Sequence, residues 1–316
     1  MIILLGSTGY IGQAFQHALQ ARRMAFASVS RKELDYTQFP KLLEHLRITK
    51  ATFVINAAGF TGKPNVDACE IARADTLLGN TVLPVTVANA CLAAGISWGH
   101  VSSGCIFAGA KIFENGTMRV EKDLMLPELM LFREKNPEAI RGFTEEDAPN
   151  FSFRQPPCSF YSGTKALAEE ALASAGEGFI WRLRIPFDEL DSPRNFLSKL
   201  QRYPQVYDNV NSLSQRRDFV EACLDLWEQR APFGIYNVTN PGSISSREVV
   251  QLIKKFVNPN RPFEFWESDE EFYRSAAHAP RSNCILDVSK LLATGVKMRP
   301  VREALEDSLR NWKIFS

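Results

Sequence analysis

Two short runs hold residue types whose spacing could do chemistry together. Gly6-Ser-Thr-Gly9-Tyr-Ile-Gly12 follows an apolar stretch and opens one of helical period. Bare backbone and the N–H groups of a helix start can face a dinucleotide pyrophosphate there, which makes Gly6, Thr8, Gly9, Tyr10, Ile11 and Gly12 cofactor candidates. Far along the chain, Tyr161-Ser-Gly-Thr-Lys165 puts a phenol and an ammonium four positions apart, on one helix face. A ketone that accepts a hydride leaves an alkoxide, and a phenol can protonate it if a neighbouring ammonium lowers its pKa from the usual ~10. Tyr161 and Lys165 would also touch the cofactor. Each run has a plainer reading: a glycine-rich turn can serve strand-to-helix packing alone, and a Tyr/Lys pair can sit on any surface helix.

Three further places extend the pattern. After the second apolar run come Val29-Ser30-Arg31-Lys32, where an acidic residue would hold a ribose 2′-hydroxyl. The Arg31 fork suits a 2′-phosphate instead, so NADPH is preferred, with NADH possible and simple solvation of Arg31 and Lys32 the alternative. Ser30 joins Arg31 as a contact. Asn56-Ala57-Ala58-Gly59 ends the next run with small residues that let riboses approach the sheet, and Asn80 is a further cofactor candidate. Val101-Ser-Ser103-Gly-Cys105-Ile-Phe107 ends another run, so Ser103 would emerge at the carboxyl edge, where it can hold a substrate carbonyl.

Composition narrows the partners. A formal charge of +1 gives no electrostatic case for nucleic acid or an anionic membrane, and the default ligand is a small molecule. Six scattered cysteines with no Cys-x-x-Cys, and four histidines without metal-ligand spacing, suggest neither zinc nor a disulfide framework, so no metal is expected and a reducing cytoplasm fits. The opening Met1-Ile-Ile-Leu-Leu reads as a buried strand and not as a signal peptide. No run approaches the ~20 apolar residues of a membrane span.

The positioning elements follow from periodicity. Apolar runs at 1–5, 24–30, 51–57, 96–103 and 178–184 alternate with helical segments at 10–22, 38–47, 68–94 and 158–175, the pattern of an α/β, Rossmann-like doubly wound parallel sheet. Residues 108–157 break the rhythm and read as a long excursion over the mouth of the site, with a short helix around 121–135. Beyond 185 the alternation is irregular and proline-rich. The expected division is a dinucleotide-binding domain over 1–184 plus about 214–242, and a smaller, discontinuous C-terminal substrate-binding domain over about 185–213 and 243–316.

At this point the chain resembles the extended short-chain dehydrogenase/reductases. More narrowly it resembles the nucleotide-rhamnose synthase/epimerase-reductase and dTDP-4-dehydrorhamnose reductase families. The runs that carry the likeness are Asn56 to Asp67, Ser103-Gly-Cys-Ile-Phe107, Thr144 to Phe151, Ser159 to Lys165, Pro193-Arg-Asn-Phe196, Ile235 to Gly242 and Ala279-Pro-Arg-Ser-Asn283. The resemblance implies an NADPH-dependent, bifunctional 3,5-epimerase/4-reductase of a nucleotide-linked 4-keto-6-deoxy sugar. Ser103, Tyr161 and Lys165 become its reductase set, with Ser103 where the family usually has threonine, and Cys105 and Lys199 become its epimerisation pair. The C3 and C5 protons of a 4-keto sugar are acidified by the carbonyl, so a thiolate can remove one and a cationic acid return it inverted; a cysteine and a lysine in these places could equally be a packing residue and a surface charge. Asn65, Asp67, Arg194, Asn195, Arg281 and Asn283 are the implied substrate contacts, and helices around 68–94 and 158–175 an implied homodimer contact. The chain departs from the family pattern at Ala108-Gly-Ala-Lys111 and in the length of 108–141. A reductase without epimerase activity, and a non-catalytic nucleotide-binding protein of the same fold, are the alternative functions.

Overall fold

In a computed structural model, which describes residues 1–314, the apolar runs of the first half become strands of one sheet. These are β1 (Ile2–Leu5), β2 (Phe26–Val29), β3 (Phe53–Asn56), β4 (Ser97–Ser103) and β5 (Gly178–Leu183), with β6 (Gly234–Asn237) added from later in the chain. Their spatial order is β6-β5-β4-β3-β1-β2, and the β1–β2, β1–β3 and β3–β4 ladders are parallel. Every residue of β1 and β3 is buried, as expected where helices cover both faces of a sheet. Ile3, Leu5 and Val54 pack with Leu42, Leu46 and Val87, while Trp181 is enclosed by the rings of Phe15, Phe53 and Phe179. Each such side chain contributes about 1.5–3 kcal/mol by leaving water. The strand order reverses at β1, and a crevice opens at such a switch point beyond the carboxyl ends of the strands.

Helices α1 (Tyr10–Ala21) and α2 (Phe39–Ile48) match the expected segments. The segment expected as one helix over 68–94 is instead a series: Ala68–Ile71, Arg73–Leu77, a π turn at Leu78–Val82, and α3 (Leu83–Ala94). Two buried side chains in the π turn tie it to its surroundings. Asn80 brackets the Phe60 backbone, and Thr81 Oγ1 donates to Thr164 O at 2.8 Å. The expectation that no segment is long and apolar enough to span a membrane is also corrected. The run Arg73–Ala94 is long and apolar enough to cross a membrane by length and composition, because a helix that includes Arg73, Asp75 and Asn80 is not found by looking for unbroken apolar residues. Here Leu83, Val87, Ala88, Ala90 and Cys91 are buried in the protein's own core.

Two compact units divide the chain. The first takes residues 1–106, 149–182 and 223–236, and includes α4 (Phe160–Leu172) and the end of α5 (Arg216–Glu228). The second takes 107–148, 183–222 and 237 onward. This corrects the expected division: 107–148 belongs with the second unit, which is then about as long as the first, and the return to the first unit is shorter than 214–242. Positions 315 and 316 of the expected C-terminal span lie outside the described residues. Hydrogen bonds give the reason. Gly109 N donates to Asn283 O, Ile285 N to Gly109 O, Phe143 N to Ile285 O and Asp287 N to Phe143 O. The excursion is itself ordered, as an antiparallel sheet of Ala110–Glu114, Thr117–Glu121 and Ile140–Arg141 followed in part by the helix Pro127–Lys135. Ala110, Ile112, Leu124 and Leu129 bury against Val210 and Ile285. A second core joins Phe187, Leu197 and Leu200 to Val249 and Ile253 of the helix Ser246–Phe256 and to Leu305 and Leu309 of Val301–Arg310.

Candidate active site

The chain leaves β1 at Gly6 with φ +77°, a conformation that favours glycine. A β-carbon at Gly6 would lie 2.6 Å from Ala58 N, and one at Gly12 would lie 2.0 Å from Gly6 O, so the loop and the start of α1 approach only as bare backbone. Beside this loop is a cavity of about 450 Å³. Gly6, Thr8 and Gly9 line it from the loop, Ser30 and Arg31 from the end of β2, and Ala57, Ala58 and Gly59 from the end of β3. The cradle and the exposed Arg31 fork fit a phosphorylated nicotinamide dinucleotide.

Other predicted cofactor residues stand behind the cavity lining. Tyr10, Ile11 and Gly12 form the first turn of α1. Asn56 is fully buried: its Oδ1 accepts from Ala58 N at 3.1 Å and its amide nitrogen meets His100 Nδ1 at 3.2 Å. Asn80 accepts from Phe60 N at 2.9 Å and donates to Phe60 O at 2.8 Å. Both asparagines therefore shape the loop after β3. Ser30 is engaged by Glu33, whose carboxylate accepts from Ser30 N at 3.0 Å and Ser30 Oγ at 2.7 Å and is thereby held below its usual pKa. Tyr36, Thr37, Asp75 and Leu78, which none of the sequence motifs singles out as site residues, also line the cavity. Tyr36 and Thr37 lie in a polar turn soon after β2, a signal that could have been used; Asp75 and Leu78 lie in a helical run with no local mark.

The residues predicted for the reductive step belong to the same unit. Ser103 ends β4, Cys105 lies in the single 3-10 turn Gly104–Ile106 that follows, and Tyr161 and Lys165 are one turn apart on α4. The start of α4 is fixed from two sides: Ser159 caps it by accepting from Ser162 N at 3.1 Å, and Glu70 Oε1 accepts from Phe160 N at 2.6 Å. A Ser cap is worth about 1 kcal/mol. Lys165 is only 4% exposed and donates to Val101 O at 3.2 Å. A β-carbon at Gly59 would stand 3.7 Å from its Nζ, so the loop after β3, which helps line the cavity, and the lysine face each other. Burial pulls the Lys165 pKa from 10.5 down to about 8, with Glu169 and Cys105 opposing the shift. Ser103 Oγ accepts from Cys105 N at 3.2 Å. His100, buried on β4, is kept neutral by desolvation and then by the charge of Lys165.

The second unit gathers cations. Lys199, on the helix Phe196–Arg202, has its pKa lowered by burial and then by the charges of Arg194 and Arg281. Those three predicted residues are therefore neighbours, although Arg281 is distant in sequence. Arg281 Nη1 donates to Ala279 O at 3.1 Å, and its backbone N donates to Tyr273 Oη at 3.0 Å. Asn195 is placed otherwise than expected. It is fully buried, caps its helix by accepting from Leu197 N at 3.0 Å, and donates to Asp188 Oδ1 and Leu190 O. Asn283 Oδ1 accepts from Asn211 at 3.2 Å. In the first unit, Asn65 closes a local turn by accepting from Asp67 N at 2.8 Å, and Asp67 precedes the helix Ala68–Ile71.

The loop after β3, which helps line the cavity, and the helix that carries the Tyr161 phenol thus meet at Gly59 and Lys165, on a fold of the short-chain dehydrogenase/reductase class. Within it, the chain belongs to the family described as RmlD substrate binding domain, whose model matches residues 1–314. It is 30% identical over 305 residues to the bifunctional dTDP-4-dehydrorhamnose 3,5-epimerase/dTDP-4-dehydrorhamnose reductase of Arabidopsis thaliana, covering 96% of this chain and 90% of that one. It is also 30% identical over 305 residues to an Arabidopsis thaliana trifunctional UDP-glucose 4,6-dehydratase/UDP-4-keto-6-deoxy-D-glucose 3,5-epimerase/UDP-4-keto-L-rhamnose-reductase. The match covers 96% of this chain but only 40% of that relative's length. Among solved structures, the UDP-rhamnose synthase of Acanthamoeba polyphaga mimivirus superposes with a TM-score of 0.81 at 20% identity, covering 98% of both chains. The dTDP-4-dehydrorhamnose reductase of Bacillus anthracis, in complex with NADP, gives 0.75 at 21% identity over 98% of this chain and 97% of that one.

Proposed function

We propose that the chain reduces the 4-keto group of a nucleotide-linked 4-keto-6-deoxy hexose with NADPH, and that it also epimerises C3 and C5 of that sugar. The observation that carries the reading is the buried Lys165 ammonium facing Gly59 on the helix that bears Tyr161. When bound, the reduced nicotinamide supplies the hydride. Ser103 Oγ holds the C4 carbonyl by a hydrogen bond, and the Tyr161 phenol gives its proton to the alkoxide that forms. Lys165 stabilises the phenolate left behind until solvent returns a proton.

The epimerase half assigns proton removal to Cys105 and proton return to Lys199. These residues belong to different units, and the assignment rests on the likeness to epimerase-reductases. Arg194 and Arg281, which stand beside Lys199, are the pair suited to the substrate's diphosphate, since guanidinium forks pair well with phosphate oxygens. A homodimer is part of the reading, supported by the exposure of Ile71, Val82 and Leu167 on the helical segments named for it.

The test is incubation with UDP- and dTDP-4-keto-6-deoxy-glucose in heavy water, with and without NADPH, followed by mass and NMR. Deuterium at C3 and C5 without NADPH, and a rhamnose product with it, is the expected result and identifies the nucleotide. Reduction only of a pre-epimerised sugar, with no exchange, would leave a reductase alone. No NADPH oxidation with any of these sugars would overturn the proposal.

A further inference from the structure

Behind the reductive residues lies a buried polar network that the reaction above does not use. Glu169 stands one turn past Lys165 on α4. Its carboxylate accepts from Arg182 Nε at 3.0 and 3.2 Å, from Arg182 Nη2 at 2.8 Å, and from Ser102 Oγ at 2.6 Å. Arg182 lies on β5 and Ser102 on β4, immediately before Ser103. Glu169 is 5% exposed, and Arg182 and Ser102 are 2% exposed each, so the network is dry and its charges are weakly screened.

Several groups face Lys165. Its own helix presents Glu169, the 3-10 turn presents Cys105, and β4 presents the neutral His100 and the Val101 carbonyl. Glu169 is therefore one carboxylate shared by two buried cations. A carboxylate gripped by an arginine fork has part of its field offset before a second cation feels it.

We propose that Glu169 is a positioning residue of the reductive site, divided between Arg182 and Lys165, with Arg182 and Ser102 setting how much negative charge supports the ammonium that serves Tyr161. This rests on the reading of Tyr161 and Lys165 as proton donor and partner, but its test needs no sugar. The proposal gives two substitutions effects of opposite sign. Glu169→Gln removes the support and leaves the Arg182 charge, so Lys165 gives up its proton at lower pH. Arg182→Met releases the carboxylate to Lys165, which then holds its proton to higher pH.

The measurement is an NMR titration of the full chain labelled with 13Cε-lysine, saturated with NADP+. The Lys165 resonance is assigned by its loss in Lys165→Met. A nearby charge moves a pKa by about 1–3 units, so the two midpoints should separate from wild type by about one unit each, downward for Glu169→Gln and upward for Arg182→Met. Midpoints that stay at the wild-type value, or that move the same way, would overturn the proposal. If either single variant fails to fold, the double variant Glu169→Gln/Arg182→Met removes both charges together; a midpoint below wild type supports the proposal and an unchanged one overturns it. A wrong substrate assignment would leave all of these midpoints as they are.

Discussion

Lys165 and Lys199 are both buried enough to have lowered pKa values, yet their surroundings differ in sign. Lys165 has a carboxylate on its own helix; Lys199 has two arginines. A lysine compensated from within the protein has its charge balance before any ligand arrives, and is suited to serving a neighbouring proton donor. A lysine among like charges releases its proton more readily, and is suited to handing one to a bound substrate. The buried lysine of the first unit is thus balanced from within, while that of the second stands among like charges.

The largest effect that would sharpen this contrast is at the proposed proton donor. Tyr161→Phe should lower the rate of reduction by about 10²–10⁴-fold while leaving NADP+ binding and heavy-water exchange at C3 and C5 near wild type. Steady-state assay, fluorescence titration and NMR exchange separate the three. Loss of exchange together with reduction would break the division of labour between the reductive residues and the epimerisation pair.

Next is the dependence of stability on pH. The native-state pKa of Lys165 is about 8 against 10.5 for the ordinary side chain. Between those values the unfolded chain binds the proton that the folded one has released, so stability rises with pH across that window. The rise from this group is at most roughly 3 kcal/mol. Urea titrations at pH 7.5 and 9.5 should show it in wild type and show it reduced in Lys165→Met; equal slopes would mean that the lysine is not buried in solution.

The second-unit lysine makes a smaller, ligand-dependent prediction. Arg281→Ala should weaken UDP or dTDP binding about tenfold or more, from the loss of a charge-assisted contact worth about 1.5–3 kcal/mol. It should also raise the pKa of Lys199 by removing a like charge. Calorimetry at two salt concentrations tests the first point, and affinity that ignores both the substitution and the salt would show that the cations do not hold the diphosphate. The smallest effect is at the cofactor end. Glu33→Gln frees the Ser30 hydroxyl and removes a negative charge next in space to the cavity rim, which should shift binding a few-fold toward NADPH over NADH in fluorescence titrations.

Much of the first unit was legible because its signals are local. Strands at 1–5, 51–57 and 96–103 are short apolar runs, and the observed strands Ile2–Leu5, Phe53–Asn56 and Ser97–Ser103 fall inside them. The glycine spacing is fixed by a close approach within a few residues, Gly12 against Gly6. The asparagines were harder. Asn56, Asn80 and Asn195 are polar residues in suggestive places, but each holds backbone, and that choice depends on partners such as His100 and Phe60 that no local pattern supplies. The Ser102, Glu169 and Arg182 network was invisible for the same reason, since it joins two strands and a helix. The three-stranded sheet within 107–148 did leave a mark, Asn115-Gly116, which suits a two-residue hairpin turn, but it was set among prolines and mixed charges that read as loop.

That turn has a practical side. Glu114 pairs with Thr117 across it, and Asn115 and Gly116 take φ of 52° and 76° at an exposed tip. Exposed loop tips are where foreign segments are best tolerated. A short peptide tag or a circularly permuted fluorescent reporter could be spliced between Asn115 and Gly116, where it would ride on the second unit without breaking a strand of the sheet that carries Ser103.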